Sequence, residues 1–236
     1  MEASPSAPKA KDVKRWDGNE RTSRKWDSVR KASSLTMTDS ELWFPEGDCL
    51  VHFYERGASR RGASLRVHLA DIQSSNCEPL LQQFHFPAQP QLEYSPGSDL
   101  MSDRSSYFND APQHELYIPA PSTLSREEAF QYHITTRNFF AWLYERPLVG
   151  ERLGQALISL LERMDHYRPD QEQNLAEMLA YIDDQGYSDF RHCSDHALAV
   201  LQFAEKHQLR ALWTDAFVHC TGMNDDLDTS IEFEVG

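Results

Sequence analysis

The sequence predicts an α+β protein in which a small, mostly antiparallel N-terminal sheet packs with a C-terminal helical bundle. Before Pro119, apolar and polar residues alternate as they do in half-buried strands, and after residue 124 the apolar residues follow the spacing of amphipathic helices. Strands that precede helices, without regular βαβ alternation, favour a sheet covered by helices over a doubly wound parallel fold. We therefore expect three to five strands within residues 41–120 and five helices after them.

The strand half is read from short segments bounded by turns. An ordered element near residues 41–44 is followed by a predicted strand at 49–54, a Gly-bounded hairpin loop at 57–62 and a second strand at 64–68. We expect a helix in two pieces over 69–84, broken near Pro79, then a Pro-rich loop at 87–112 and a strand at 116–118.

The helical half begins at a capping box, in which Ser125 and Glu128 can each bond the other's backbone amide. Pro147 ends this first helix. The second carries a continuous apolar stripe from Leu153 to Met164, and the third ends before Gly186, a predicted left-handed cap. A fourth helix begins near Ser194, and a fifth ends before Gly222.

Charged residues are distributed unevenly along the 236-residue chain, whose net charge is −14. Residues 1–38 contain nine Lys/Arg and five Asp/Glu, and the remainder contains 14 basic and 32 acidic residues. We predict a basic flexible arm at 1–38, a folded domain at 39–223 and a frayed acidic tail at 224–236. Because phosphate binding depends on Lys and Arg, we do not expect a nucleic acid partner for the acidic body.

The polar composition of the arm predicts disorder for at least residues 1–14. Two tryptophans interrupt the arm, Trp16 and Trp26, and they occur there by chance or as aromatic anchors that dock onto the folded body or onto a partner. Ser33 follows Arg30 and Lys31, a pattern that basophilic kinases recognise, so we predict that such a kinase can phosphorylate it.

The four cysteines form no C-x-x-C pair and no disulfide framework, which predicts buried, reduced thiols in an intracellular protein, cytoplasmic or nuclear. The residues after Met1 lack the apolar core of a signal peptide, and no run approaches the roughly 18 apolar residues of a membrane span. We therefore expect no contact with the membrane.

Three segments together resemble a BTB/POZ domain. They are residues 47–51 with 65–75, residues 139–144 and residues 201–212. The resemblance implies a BTB/POZ-like fold with a helical insertion at about 151–190, because the last two segments are nearly adjacent in simple members. It also implies a self-association edge near the first strand, where Trp43 and Phe44 are the candidates.

The chain from Trp16 to about Phe233 also resembles a set of uncharacterised filamentous-fungal proteins. The carrying segments are residues 15–18, 41–44, 47–51, 116–121, 136–143 and 215–223. This resemblance implies a domain of unknown function and supplies no catalytic residues.

Catalytic, cofactor and metal sites have no recognisable motif in the sequence, so we predict none. His192, Cys193 and His196 are zinc-ligand types, but they lack paired ligand spacing. Arg56, Arg60 and Arg61, with Arg66, surround the hairpin loop. They form a solvated loop, an acidic-peptide site, or a dock for the acidic tail.

The leading functional hypothesis is a non-enzymatic protein–protein interaction or scaffold module of unknown pathway, with a homodimer as one candidate assembly. An enzyme whose acid and base residues come from separate elements is the first alternative. A regulator that binds nucleic acid weakly through the basic arm is the second. The candidate interaction residues are Trp16, Trp26, Trp43, Phe44, Arg56, Arg60 and Arg61.

Overall fold

The computed structural model describes residues 13–16, 39–87, 112–169 and 172–233. The chain divides into two compact units. The sheet unit comprises Ser34–Ala129 with His166–Arg168, and the helical unit comprises Met1–Ser33, Phe130–Asp165 and Pro169–Gly236. Trp26, Ser33 and most of the loop expected at 87–112 lie outside the described residues.

The described residues form six strands and seven α-helices, a mixed α+β composition as predicted. The strands are β1 (Lys14–Trp16), β2 (Cys49–His52), β3 (Leu65–Val67), β4 (His85–Pro87), β5 (His114–Tyr117) and β6 (Leu148–Gly150). The helices are α1 (Leu69–Ser74), α2 (Glu78–Phe84), α3 (Arg126–Leu143), α4 (Leu153–Tyr167), α5 (Asn174–Asp184), α6 (Ser194–Lys206) and α7 (Arg210–Gly222), followed by a 3-10 helix (Asn224–Thr229). Of these helices, none has both the length and the apolar character that crossing a bilayer requires.

The sheet unit contains a four-stranded sheet with the order β3-β2-β5-β4. β2 is antiparallel to β3 and parallel to β5, and β4 is antiparallel to β5. Since side chains alternate along a strand, one face of the sheet is the core of this unit. Its fully buried residues are Cys49, Val51, Leu65, Val67 and Leu116.

The opposite face, here called the outer face, carries the alternate residues of the same strands. Leu50 pairs with Glu115, which pairs in turn with Phe86, and His52 pairs with Tyr117. The outer face therefore carries aromatic and titratable side chains, whereas the fully buried residues of the core face are apolar.

Two details of the strand half differ from expectation. β4 was not predicted, because three residues that directly follow a helix and end in proline have no alternation to detect; the structure places them at the sheet edge, where proline is tolerated. The break between α1 and α2 lies at Asn76, whose φ is 55°. Pro79 instead lies in the first turn of α2, where its missing N–H costs nothing.

Two of the predicted helix boundary signals were confirmed, and the one at Gly222 was not. Ser125 N–H donates to Glu128 Oε2 at 2.8 Å, and Glu128 N–H donates to Ser125 Oγ at 3.3 Å, which completes the predicted capping box. Gly186 has a φ of +73° beyond α5, the predicted left-handed cap. Gly222 is not left-handed and is the last residue of α7.

The helical unit is organised by the predicted apolar stripes. Leu153, Leu157, Leu160 and Met164 of α4 are fully buried, and α6 packs against α7. Within the same unit Asn138 of α3 bonds both backbone groups of Val149, donating to its carbonyl at 2.8 Å and accepting from its N–H at 3.0 Å. The buried Asn138 side chain thus forms with β6 the two backbone hydrogen bonds that a neighbouring strand would form.

The expected disorder of residues 1–14 is wrong for residues 13 and 14. Lys14–Trp16 pairs antiparallel with Leu148–Gly150, and Val13 is buried with Ile134 and Val149. The arm composition did not indicate this strand because its pairing partner lies more than 130 residues further along the chain, beyond any local signal.

The expected fraying of the tail is wrong for residues 224–233. The 3-10 helix occupies Asn224–Thr229, and Ser230 and Glu232 beyond it are buried. Acidic composition predicted solvation, but particular hydrogen bonds described below hold these two side chains inside the helical unit.

Candidate functional sites

A turn at the tip of the β2–β3 hairpin positions the predicted arginines. Ala58 N–H donates to Glu55 carbonyl oxygen at 2.9 Å, and Gly57 has a φ of +80°. A left-handed residue at the third position identifies a type II turn, which favours glycine there. Arg56 is the second residue of this turn, and Arg56, Arg60 and Arg61 are all exposed as predicted for a hairpin loop.

Four rings on the outer face of the sheet unit form what we call the aromatic shelf: His52, Tyr54, Phe86 and Tyr117. The His52 and Tyr117 rings stack, with centroids 4.5 Å apart and planes 8° apart. Phe86 meets Tyr117 edge to face at 5.9 Å, and Tyr54 meets it at 6.1 Å. Aromatic pairs prefer such geometries, so the rings hold one another in place.

The Arg56 guanidinium lies over this shelf. Its central carbon is 4.8 Å from the Phe86 ring centroid and 6.0 Å from that of Tyr117. These distances are within the range of a cation–π interaction. Arg61 contributes through its backbone, since its carbonyl oxygen accepts a hydrogen bond from the Tyr54 hydroxyl. Two of the three predicted arginines therefore belong to one aromatic cluster.

A carboxylate, Glu115, lies beside the aromatic shelf. Its Oε2 accepts a hydrogen bond from the Tyr117 hydroxyl at 3.1 Å, and its Oε1 is 4.0 Å from His52 Nε2. The Glu115 side chain is 22% exposed and that of His52 only 7%. The Glu115 carboxylate is thus largely shielded from water and lies next to the rings of His52 and Tyr117.

Hydrogen bonding determines the tautomer of His52. The Tyr54 hydroxyl has one proton and donates it to the Arg61 carbonyl, which cannot donate in return. His52 Nδ1, at 2.9 Å from the Tyr54 oxygen, must therefore be the donor of that pair. Nε2 then carries a lone pair, and it is a buried atom with no hydrogen-bond partner.

Shifts in pKa keep the three titratable rings of this cluster, His52, Tyr54 and Tyr117, uncharged at neutral pH. Burial lowers the pKa of His52, although the nearby Glu115 acts in the opposite direction. Burial, with Glu115 as the next cause, raises the pKa of Tyr117 to about 12. At neutral pH the histidine is an acceptor and the phenol a donor, so neither neutralises the carboxylate.

A second candidate surface lies on α7 in the helical unit. Ala216 and Cys220 are buried, whereas Phe217 is 43% exposed and Val218 is 59% exposed. The Trp213 and Phe217 rings stack with centroids 4.8 Å apart and planes 9° apart. Because residues four apart share one face of a helix, the stacked pair forms a fixed aromatic ridge along α7.

The segment after α7 alternates between buried polar and exposed apolar residues. Ser230 Oγ donates to Asp195 Oδ1 at 2.5 Å, and Glu232 accepts from the backbone N–H groups of Leu153 and Gly154, the latter at 3.1 Å. Ile231 and Phe233, between and beyond them, are exposed. Burial raises the pKa of Glu232 to about 7, against the opposing effect of the two N–H donors.

The other predicted interaction residues are less accessible. Trp16 is 5% exposed, and its carbonyl accepts a hydrogen bond from the Tyr187 hydroxyl at 2.6 Å, so this tryptophan docks onto its own unit. Trp43 and Phe44 are half-buried beside β3, and Phe44 N–H donates to the Arg66 carbonyl at 2.8 Å.

Sequence reasoning did not identify His52, Tyr54, Glu115 or the α7 ridge. The available signal was the period-two spacing of His52 with Tyr54 and of Glu115 with Tyr117, which places each pair on one strand face. Nothing local showed that the two strands are neighbours. Among the described residues, no three His, Cys, Asp or Glu side chains converge to hold a metal ion.

Comparison with known proteins gives one match. A model of the domain of unknown function DUF8004 matches residues 175–235, a segment that contains α6, α7 and nearly all of α5. No curated protein and no solved structure matches the chain. The α7 ridge therefore belongs to the segment that is similar to DUF8004.

Proposed function

We propose that this chain is a non-enzymatic protein–protein interaction module that self-associates through α7. The observation that carries the proposal is the aromatic ridge formed by half-buried Trp213 and exposed Phe217, followed in sequence by exposed Val218. In the part of the chain that the structure describes, the exposed large hydrophobic residues are Phe217, Val218, Ile231 and Phe233.

Position in the chain supports an interaction role for this surface. Isolated exposed apolar residues are common on monomers and need no explanation. Here, however, all four occur within 17 consecutive residues, 217–233, on one helix and the segment that follows it. Aromatic residues that are already held in place lose little side-chain entropy on binding, and they are frequent interface anchors.

Charge distribution along α7 supports a second copy of the chain as the occupant. Arg210 lies at the N-terminal end, where the helix dipole is unfavourable for a cation, and Asp225 lies beyond the C-terminal end. In an antiparallel, two-fold pairing of two α7 helices, each Arg210 meets the C-terminal end and Asp225 of the other copy. Such an interface is self-complementary, as two-fold symmetry requires.

Light scattering coupled to gel filtration tests the proposal over roughly 1 to 100 μM, where micromolar dimers titrate. We expect a concentration-dependent shift from monomer to dimer that Phe217→Asp abolishes. Ala180→Asp is the matched control, because it adds the same charge at an exposed position of α5. A wild-type monomer throughout, or a Phe217→Asp variant that still dimerises, contradicts the proposal.

The finer assignments are also proposals. A BTB/POZ-like fold is supported by the β2–β3 hairpin that leads into α1 and by the α6–α7 pair, both at the positions that resemble that family. The relationship to filamentous-fungal proteins, the scaffold role, and the enzyme and nucleic-acid alternatives stay predictions from sequence.

A further inference from the structure

Among the described residues, no Lys or Arg side chain forms an ion pair with the carboxylate of Glu115. Its register neighbours are Leu50 and Phe86, and within 4.0 Å it meets the Tyr117 hydroxyl and a histidine that is neutral at pH 7. A largely buried carboxylate costs free energy unless a cation or several hydrogen bonds stabilise it. This position on the outer face therefore favours a positively charged group.

A second unsatisfied acceptor lies beside it. His52 is 6% exposed, and its Nε2 lone pair has no hydrogen-bond partner. Nε2 and Glu115 Oε1 are 4.0 Å apart, and two facing acceptors repel. Neither a second acceptor nor the neutral ring can stabilise the carboxylate, whereas a guanidinium presents several N–H donors on a planar frame that matches a carboxylate.

The rings next to these acceptors already accommodate a guanidinium. Phe86 and Tyr117 meet at an interplanar angle of 74°, and the Arg56 guanidinium lies near both ring centroids. Arg56 is exposed and makes no ion pair with any described residue. An exposed cation–π contact alone is worth a factor of about two to five in an equilibrium constant, so Arg56 is readily displaced.

We propose that the aromatic shelf with Glu115 is a binding site for an arginine side chain of a partner protein, and that Arg56 occupies the site until the partner arrives. The incoming guanidinium stacks on Phe86 and Tyr117 and donates to Glu115, and it gains the carboxylate contact that Arg56 lacks. The site lies in the sheet unit, so it does not depend on whether α7 mediates dimerisation.

Titration of the full chain with N-acetyl-arginine amide tests the site, with binding followed by nuclear magnetic resonance. The Arg56→Ala variant removes the resident guanidinium, and we expect it to bind about two- to fivefold more tightly than the wild type. Arg60→Ala is the matched control, because it removes the same charge from an exposed hairpin arginine that lies over no ring of the described residues. Its affinity should equal that of the wild type.

Two further comparisons make the result specific. N-acetyl-citrulline amide has the same shape without the charge and should bind at least tenfold more weakly to Arg56→Ala. The Arg56→Ala, Glu115→Gln double variant should lose the same tenfold for the arginine ligand. Equal affinity for citrulline, an unchanged affinity in the double variant, or no gain over Arg60→Ala overturns the proposal. N-acetyl-lysine amide binding as tightly as the arginine ligand overturns its guanidinium specificity.

Folding of the variants is checked independently. Arg56→Gln keeps much of the side-chain length and removes the charge, so it should reproduce the gain of Arg56→Ala if displacement of a cation is the cause. Thermal unfolding should leave Arg56→Ala and Arg60→Ala within a few degrees of each other, since both positions are exposed. A gain in Arg56→Ala that Arg56→Gln lacks contradicts the proposed role of the charge.

Discussion

Glu115 in the sheet unit and Glu232 in the helical unit are both largely withdrawn from water, yet the structure satisfies them differently. Glu232 accepts two backbone N–H groups at the beginning of α4, where the helix dipole also favours an anion. Glu115 accepts one phenolic hydrogen bond and faces the lone pair of a neutral histidine. Backbone N–H groups of the chain satisfy the Glu232 carboxylate, whereas the described residues give Glu115 a single hydrogen bond.

This difference separates a structural carboxylate from a binding one. A buried group whose hydrogen bonds are all made contributes to folding, and its removal leaves donors unsatisfied. A buried group with unmet acceptors contributes little to folding and is available to a ligand. We therefore expect substitutions of Glu232 to lower the stability of the fold. Substitutions of Glu115 should weaken ligand binding and leave stability nearly unchanged.

Removing the structural carboxylate should have the largest effect. We expect Glu232→Ala to lower the free energy of unfolding at pH 5 by about 1–3 kcal/mol, because two helix N–H groups lose their acceptor. Denaturant titration measures this change. Glu205→Ala, at an exposed position of α6, is the control and should stay within about 0.5 kcal/mol of the wild type. An equal loss in both variants contradicts the role of Glu232.

The pH dependence of stability should come next in size. The pKa of Glu232 is raised from 4.5 to about 7 in the folded chain, so between these values the folded state binds more protons than the unfolded state. Its contribution is complete below pH 4.5 and is lost as the pH rises through about 7. The expected loss is on the order of 2 kcal/mol, discounted from the full shift because the group is not wholly buried.

Denaturant titrations of the wild type and Glu232→Gln across pH 4 to 8 isolate this effect. The amide cannot titrate, so the difference between the two unfolding free energies should change across the window from pH 4.5 to 7. Other titrating groups, including His52, cancel in that difference. Parallel curves for the two proteins are incompatible with a raised pKa at Glu232.

The smallest expected effect is at the binding carboxylate. Glu115→Gln should change the free energy of unfolding by no more than about 0.5 kcal/mol, because the amide still accepts from Tyr117 and removes an uncompensated charge. Thermal and denaturant unfolding at pH 7 measure it. A loss as large as that of Glu232→Ala would make Glu115 a structural residue and would remove the contrast between the two positions.

Structural elements that depend on residues close together in the sequence were predicted correctly. The capping box at Ser125 and Glu128, the left-handed Gly186 and the apolar stripe of α4 each depend on residues within a few turns of one another. Strands β2, β3 and β5 were predicted from short segments bounded by turn residues, with clear alternation in β3. Strands β1, β4 and β6 were missed because three residues without alternation of apolar and polar types give no strand signal.

Of the two candidate sites, the hairpin site was predicted in part and the α7 ridge was not predicted. Arg56, Arg60 and Arg61 were predicted as an exposed cluster, but the rings and the carboxylate near Arg56 were not. The expected self-association residues Trp43 and Phe44 are half-buried, whereas Phe217 and Phe233, the exposed large aromatic residues of the described chain, were not predicted as interaction residues. Helical spacing shows which apolar residues lie on one face of a helix. How much of that face is buried depends on which other elements pack against it.

By itself, the sequence determined the class of the fold, the sites of its helices, and the exposure of the charged hairpin, because hydrophobic period and turn chemistry act over a few residues. Tertiary structure alone decided that β2 lies parallel to β5, which brings His52 to Glu115 across 63 positions of sequence. It likewise decided that β1 pairs with β6 and that Glu232 meets α4. These contacts depend on which buried surfaces fit together, and no local pattern of residues carries that information.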